Sequence, residues 1–402
     1  VLIAAALAAP AAAATAAPPD RRPTLRRMTA PPEPSPPSPL RRRLLGAAVS
    51  AATVVAALVV AEIAVRLLCE VTDVPEYDAT PTVRRLLHPG QEGVVRRDTG
   101  DGFRARFRVN AAGFNSEREY TPDKPAGIFR VAVLGDSFVE ALQVDPDRSL
   151  TAVAERTLSA EGRAAEVLPF AASGLGTIDE HHLLRDVAAG HRPDAVVVVF
   201  HDNDITDCDP AAPDAPPAPE SGPPGELVRT PRGRSLLSRS ALARWLIWQR
   251  GLHRVGRTGA GHPAWRTAAV PEPEDIAAHR ARAESALEHI RRFCAQRGWP
   301  LIVLHVPPYQ AMSCCDEEIP GREGLDFGRV GRRLAEWCAE RGVRCRLLGP
   351  DLEADHAATG RRHYLRGDGH WNADGHDVAG RALADEIAGL ERISSRRSAP
   401  RR

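Results

Sequence analysis

Lysine is all but missing from this 402-residue chain. Lys124 stands alone, and arginine supplies the rest of the 53 basic side chains. Set against 52 acidic residues they leave a formal net charge of +1. That near-balance excludes the strongly basic character of a nucleic-acid-binding domain. Together with the wealth of Ala and Pro, the arginine bias reads as genomic composition rather than function. Paired cysteine motifs are missing too. Cys69, Cys208, Cys294, Cys314, Cys315, Cys338 and Cys345 include no Cys-x-x-Cys spacing, which argues against a zinc site. No motif calls for a cofactor. The odd number implies that an exported domain would keep at least one thiol free or paired between chains. Cys338 and Cys345 flank a helix-to-strand turn and could bridge after export, and at most one of the adjacent Cys314 and Cys315 would reach Cys294 or Cys208.

Long hydrophobic runs are scarce, which makes one near the N-terminus informative. Residues 44–61 are uncharged and mostly apolar, and a helical pattern continues through Glu62 and Arg66 to Leu68. That length suffices to cross a bilayer. Arg41, Arg42 and Arg43 precede it directly, with Arg26 and Arg27 upstream. The positive-inside bias therefore keeps the N-terminus cytoplasmic and exports the chain beyond residue 70. A cleaved signal peptide is the competing reading, but no small-x-small site comes after the apolar run before Glu62, which favours an uncleaved anchor. Met28 would start a chain with its basic flank and anchor at suitable distances, so residues 1–27 are read as a candidate upstream extension.

These features imply an order of segments. Residues 1–43 form a disordered cytoplasmic tail, Pro-rich over 18–40, and 44–68 the transmembrane anchor. Residues 69–127 form a strand-rich juxtamembrane segment, in which Phe103–Val109 alternates with period two before a turn at Asn110–Gly113. Residues 128–393 hold the main domain, with an insertion over 205–270, and 394–402 form a tail. Within the domain, strands are expected at 129–134, 165–170, 194–200, 300–306 and 343–348. Helices are expected near 148–161, 177–189, 273–297, 325–341 and 373–391. Strands alternating with helices of this length imply a parallel sheet covered on both faces. The run Val196-Val-Val-Val-Phe200 is apolar on both of its faces, as a doubly covered strand requires. The insertion is Pro-rich over 209–225, then basic and Trp-bearing. Residues 236–252 have helical spacing, either a peripheral helix packing Trp245 and Trp248 on the core or a substrate- or membrane-facing one.

Four segments carry the chemistry. Gly135-Asp136-Ser137 ends the first strand. By itself it is equally a turn in which Ser137 caps a helix. Ala172-Ser173-Gly174-Leu175-Gly176-Thr177 comes after the second strand, His201-Asp202-Asn203-Asp204 after the third, and Asp368-Gly369-His370-Trp371-Asn372 opens the last helix. Three of the four lie just beyond strands of one sheet, whose carboxyl ends are where ligands bind in open α/β folds.

In these blocks, over about residues 128–393, the chain resembles the SGNH (GDSL-type) hydrolase superfamily. Ser137, Gly174, Asn203, Asp368 and His370 match its serine, glycine, asparagine and terminal Asp–His positions one by one. The resemblance implies a flavodoxin-like three-layer α/β/α domain, here preceded by one transmembrane helix. Asp and His stand two apart rather than the common three, and this Asp-x-His-Trp-Asn form resembles alginate-type polysaccharide O-acetyltransferases. Pro169 replaces a frequent asparagine in the second block. Arg108-Val-Asn110-Ala-Ala-Gly113-Phe114 resembles a lead-in of membrane-anchored bacterial members.

The chemistry of the residues agrees. A serine hydroxyl needs an adjacent base. His370 would take its proton and return it to the leaving group, while Asp368 fixes the imidazole tautomer. Backbone N–H groups of Ser137 and Gly174 and the Asn203 amide would form the oxyanion hole. Asp136 is expected to brace the turn and Asp204 to organise the loop aiming Asn203. His181 and His182 are expected to be exposed, and His376 to pack. Trp371 either shields the site or fills the domain edge. A metal site built from His201, Asp202, Asp204, Asp368 and His370 is the rival, and it would leave the serine and glycine blocks unexplained.

The function expected is a serine-dependent hydrolase of ester-linked acyl groups. Its expected substrate is an acylated carbohydrate or cell-envelope glycan, or another ester. Its place is the bacterial inner membrane, single-pass, with the catalytic domain periplasmic. The same residues would serve an O-acyltransferase. A non-catalytic envelope-assembly protein that keeps the fold as a binding module is the rival from another class.

Overall fold

The computed structural model describes residues 38–69, 71–80, 83, 85–97, 101–208, 230–231, 240–252, 263–315 and 322–398. Most of the Pro-rich insertion and the N-terminal tail lie outside them. The chain divides into two units, residues 1–58 and 59–402. Helix α1 (Pro39–Leu68) begins in the first and takes in Arg41–Arg43. Its 30 residues have a mean hydropathy of 2.4 over the most apolar window, none of it buried. At 1.5 Å per residue it spans about 45 Å, so it is long and apolar enough to cross a membrane.

In the second unit, strands β1 (Tyr77–Ala79), β2 (Leu86–Leu87), β3 (Glu92–Arg97) and β4 (Phe103–Arg108) come first. β3 and β4 pair antiparallel from Glu92↔Arg108 to Arg97↔Phe103. The main domain continues as β5 (Phe129–Gly135), α2 (Ser137–Glu140), α3 (Leu150–Ala160), β6 (Ala165–Ala171), α4 (Thr177–Asp186), β7 (Ala195–His201) and α5 (Asn203–Asp207). The short β8 (Thr230–Pro231) pairs with β1. Next come α6 (Ala241–Leu252), α7 (Pro263–Ala268), α8 (Glu274–Arg297), β9 (Leu301–Val306), α9 (Arg329–Glu340), β10 (Arg344–Leu347), α10 (Gly349–Thr359) and α11 (Ala373–Ser398).

The main sheet is parallel throughout, in the order β10-β9-β7-β5-β6. Successive side chains point to opposite faces, and both faces are apolar. Val131, Val133, Val197, Val199, Ile302 and Leu304 face a core shared with α3, α10 and α11. Ala132, Leu134, Val196, Val198 and Val303 face one shared with α4, α8 and α9. This is the three-layer α/β/α domain expected, with the flavodoxin-like order. Its switch point lies between β5 and β7, where the chain leaves β5 for one side of the sheet and later returns to the other. Pro169 sits on the edge strand β6, where a missing N–H costs no ladder bond on the open side.

The structure corrects three expectations. His181 and His182 are buried, not exposed, because α4 is covered by the sheet on one side and by α8 on another. The His181 ring lies 5.5 Å from that of His289, and burial lowers its pKa to about 4. Cys338 and Cys345 meet as hydrogen-bonded neighbours rather than a disulfide. Helix α10 has no counterpart among the expected helices. Gly349-Pro350 reads as a breaker, but Pro is well tolerated in a helix's first turn, and here Pro350 starts one.

Candidate active site

β5 stops at Gly135 because nothing larger fits. A Cβ there would meet Val139 Cγ2 at 2.4 Å. Asp136 then caps the four-residue α2, its Oδ1 accepting the Phe138 N–H at 2.9 Å. Ser137 is thus the first helical residue at the carboxyl end of β5, beside the switch point. Its Oγ lies 2.8 Å from His370 Nε2, and His370 Nδ1 lies 2.5 Å from Asp368 Oδ1. Residues 233 positions apart are therefore in hydrogen-bond contact.

The loop carrying Asp368 and His370 is pinned at its base. Leu365 N–H donates to the His370 carbonyl at 2.8 Å, and Asn372 Oδ1 caps α11 through the N–H groups of Asp374 and Gly375. Trp371 is fully buried, its ring 5.0 Å from Phe138; it fills the domain edge directly behind the histidine. Burial disfavours the His370 imidazolium, yet the hydrogen bond and charge of Asp368, with Asp136 beyond, outweigh it and hold the pKa above the ordinary value. Burial likewise raises the Asp368 carboxyl, but His370 and Arg97 overcome it and hold that carboxyl below its usual range.

Arg97 is absent from the residues the sequence singles out. It reaches from β3 to Asp368 Oδ2 and donates to the Gly367 carbonyl at 2.7 Å. No sequence signal marks it, because 270 residues separate it from that carbonyl. Glu140 is the second surprise, although a lone charge inside Ser-Phe-Val-Glu-Ala hints at it. Fully buried, it accepts hydrogen bonds from the Ser173 N–H at 3.0 Å, from Ser173 Oγ and from the Tyr77 hydroxyl at 3.1 Å. It thereby ties α2 to the loop that bears Gly174. Asn115, just beyond the Arg108–Phe114 lead-in, donates to the Glu140 carbonyl at 2.8 Å and steadies the same helix.

Gly174 has φ +76° and open space where a Cβ would stand, a left-handed conformation suited to glycine. Asn203 lies beside Ser137, held by Asp136. Its Nδ2 donates to Asp136 Oδ2 at 2.8 Å and to Asp207 Oδ2 at 2.9 Å, so both amide hydrogens are engaged. Asp204 accepts the His201 N–H at 2.7 Å, closing the loop that presents Asn203. Asp202 turns away to His305 Nε2 at 3.1 Å and does not join His370. His376 Nδ1 accepts the Leu150 N–H at 3.2 Å; burial pushes its pKa down to about 3, so it is a neutral packing residue.

What the arrangement can do is move a proton from a serine hydroxyl to an imidazole that a carboxylate orients. A profile of the SGNH hydrolase-like domain of acetyltransferase AlgX matches residues 260–399. That span holds Asp368 and His370, while Ser137, Gly174 and Asn203 lie before it. No curated protein matches the chain significantly. Among solved structures, TesA is 14% identical, with 65% of this chain and 99% of that one covered, at a TM-score of 0.38. Acetyl xylan esterase AlAXEase is 13% identical, covering 65% and 98%, at 0.37. Psychrotrophic esterase EstA from Pseudoalteromonas sp. is 10% identical, covering 66% and 99%, at 0.38. Likenesses this distant carry no functional weight. By the profile match, residues 260–399 are similar to an SGNH hydrolase-like domain.

Proposed function

We propose that the protein is a membrane-anchored serine ester hydrolase that removes acyl groups from a cell-envelope glycan through an acyl-enzyme on Ser137. The observation that carries the reading is the unbroken hydrogen-bond chain from Ser137 Oγ through His370 to Asp368. His370 Nε2 takes the hydroxyl proton as Oγ attacks the acyl carbonyl carbon. The resulting oxyanion is met by the N–H groups of Ser137 and Gly174 and by Asn203, one of whose amide hydrogens turns to it from Asp207. Collapse expels the sugar oxygen, which receives the proton from His370. A water then repeats the sequence, His370 taking its proton, and releases the carboxylic acid and free Ser137.

A sugar hydroxyl in place of that water gives an O-acyltransferase by the same steps. The acetyltransferase named in the matching profile favours this second reading. The Arg41–Arg43 flank of α1 supports an active domain outside the cytoplasm.

A serine-directed fluorophosphonate should label the wild-type chain and leave Ser137→Ala unlabelled. Absence of wild-type labelling, or equal labelling of the variant, refutes the serine mechanism and favours a binding module. An acyl-nitrophenyl ester assayed with and without an oligosaccharide then separates the two enzymes. Acylated oligosaccharide identifies a transferase, and free acid alone a hydrolase.

A further inference from the structure

The Asp368 carboxylate is held from two sides. Oδ1 accepts from His370 Nδ1 at 2.5 Å, and Oδ2 meets Arg97 Nη1. The other arm of the same guanidinium, Nη2, donates to the Gly367 carbonyl at 2.7 Å. One planar fork thus grips both a side chain and the backbone of a single loop, a geometry that arginine offers and lysine does not. The loop needs such a grip, because Gly367 (φ +69°) and Gly369 (φ +84°) flank Asp368 and glycine is the most freely moving residue in a chain. A second tether runs in parallel: Asp101 accepts from Arg366 Nε at 2.6 Å and from the Arg366 N–H at 3.1 Å.

Both tethers come from the β3–β4 ribbon, and the ribbon is rooted in turn. The N–H groups of Val94 and Arg96 donate to Asp73 Oδ2 at 2.8 Å and Thr72 Oγ1 at 3.0 Å. Thr72 and Asp73 come shortly after the end of α1 at Leu68. At the other end Phe107 is buried with Leu87 and Val109.

We infer that Arg97 is a positioning residue of the catalytic triad, and that the β3–β4 ribbon braces the Asp368–His370 loop from the membrane-proximal segment. This rests on the Ser137–His370–Asp368 reading above. The Arg97 side chain is 23% exposed and that of Asp368 8%, so solvent screens the pair little. A cation on the outer carboxylate oxygen draws negative charge away from His370. The charged and titratable groups facing His370 are Asp368 and Asp136, which favour its protonation, Arg97, which opposes it, and the neutral His376.

The test is the acid limb of kcat/KM for an acyl-nitrophenyl ester, measured on the full chain in nanodiscs. Arg97→Gln should move its midpoint upward by roughly half to one pH unit and lower kcat about ten-fold. Asp101→Asn should lower kcat and leave the midpoint in place. Arg97→Lys keeps the charge and loses the fork, so it should hold the wild-type midpoint with kcat reduced at least about five-fold. It reads the proposal even where Arg97→Gln does not fold, since wild-type kcat in Arg97→Lys overturns the positioning role. An unshifted Arg97→Gln midpoint overturns the electrostatic one. Titration of the His370 ring by NMR in the same variants reports the shift without substrate. A silent assay with a shifted ring therefore refutes the hydrolase reading alone, and an active enzyme with an unshifted ring refutes this inference alone.

Discussion

The Glu140 carboxylate accepts hydrogen bonds from Tyr77 and Ser173 while fully buried, three residues after Ser137. Burial outweighs those bonds and the nearby Arg85 charge and raises its pKa from 4.5 to about 7. Between those two values the folded protein holds a proton that the unfolded chain has released. Stability from this group therefore falls as pH rises through that window and is level above it. Glu140→Gln stays neutral at every pH, so its Tm relative to wild type should rise between about pH 5 and about pH 7.5. Thermal melts at several pH values check this, and parallel Tm curves for the two proteins would refute it. Asp136 shows the complementary case of a residue legible in advance: an acid before Ser137 reads as a brace, and it does cap α2 and hold Asn203. Glu140 and Arg97 were not legible, because each acts on a partner that only folding brings near.

Among the elements, strand ends do the assembling. The second and third blocks meet where Gly176 runs against α5, so closely that a Cβ would stand 2.7 Å from the Asp207 carbonyl carbon and 2.8 Å from Cys208 N. Both atoms are backbone and cannot swing aside. Gly176→Ala should destabilise by about 1–3 kcal/mol through overpacking and loosen the loop that presents Asn203. Gly190→Ala, where a Cβ meets nothing within 4 Å, should stay within about 0.5 kcal/mol. Denaturant melts of both variants decide it, and equal midpoints would contradict the clash. The strands themselves could be read directly, since a strand covered on both faces must be apolar at every position, as Val196–Phe200 is. The burial of His181 and His182 could not, because periodicity reports one apolar face and says nothing about how many neighbours cover a helix. Helix α10 escaped for another reason: the Gly349-Pro350 pair that suggests a turn also suits a helix start.

At the scale of the whole molecule, α1 is long and apolar enough to cross a membrane, and its basic flank predicts which side the domain occupies. An alkaline phosphatase fused after Arg402 should be active in a bacterial host, and a reporter that works only in the cytoplasm should be silent. The reverse pattern would overturn the orientation. The amino-acid order alone was enough for the apolar helix, the alternation of strands with helices, and the Ser137, Gly174, Asn203 and Asp368–His370 blocks. These are local: each depends on hydrophobic pattern or residue chemistry within a few positions. Contacts between separated segments were decided by folding, which set Arg97 on Asp368, Glu140 under the Gly174 loop, and the Asn203 amide on Asp136. Such partners are chosen by the sheet order and by the ribbon's seating, and neither is written in any short stretch of the chain.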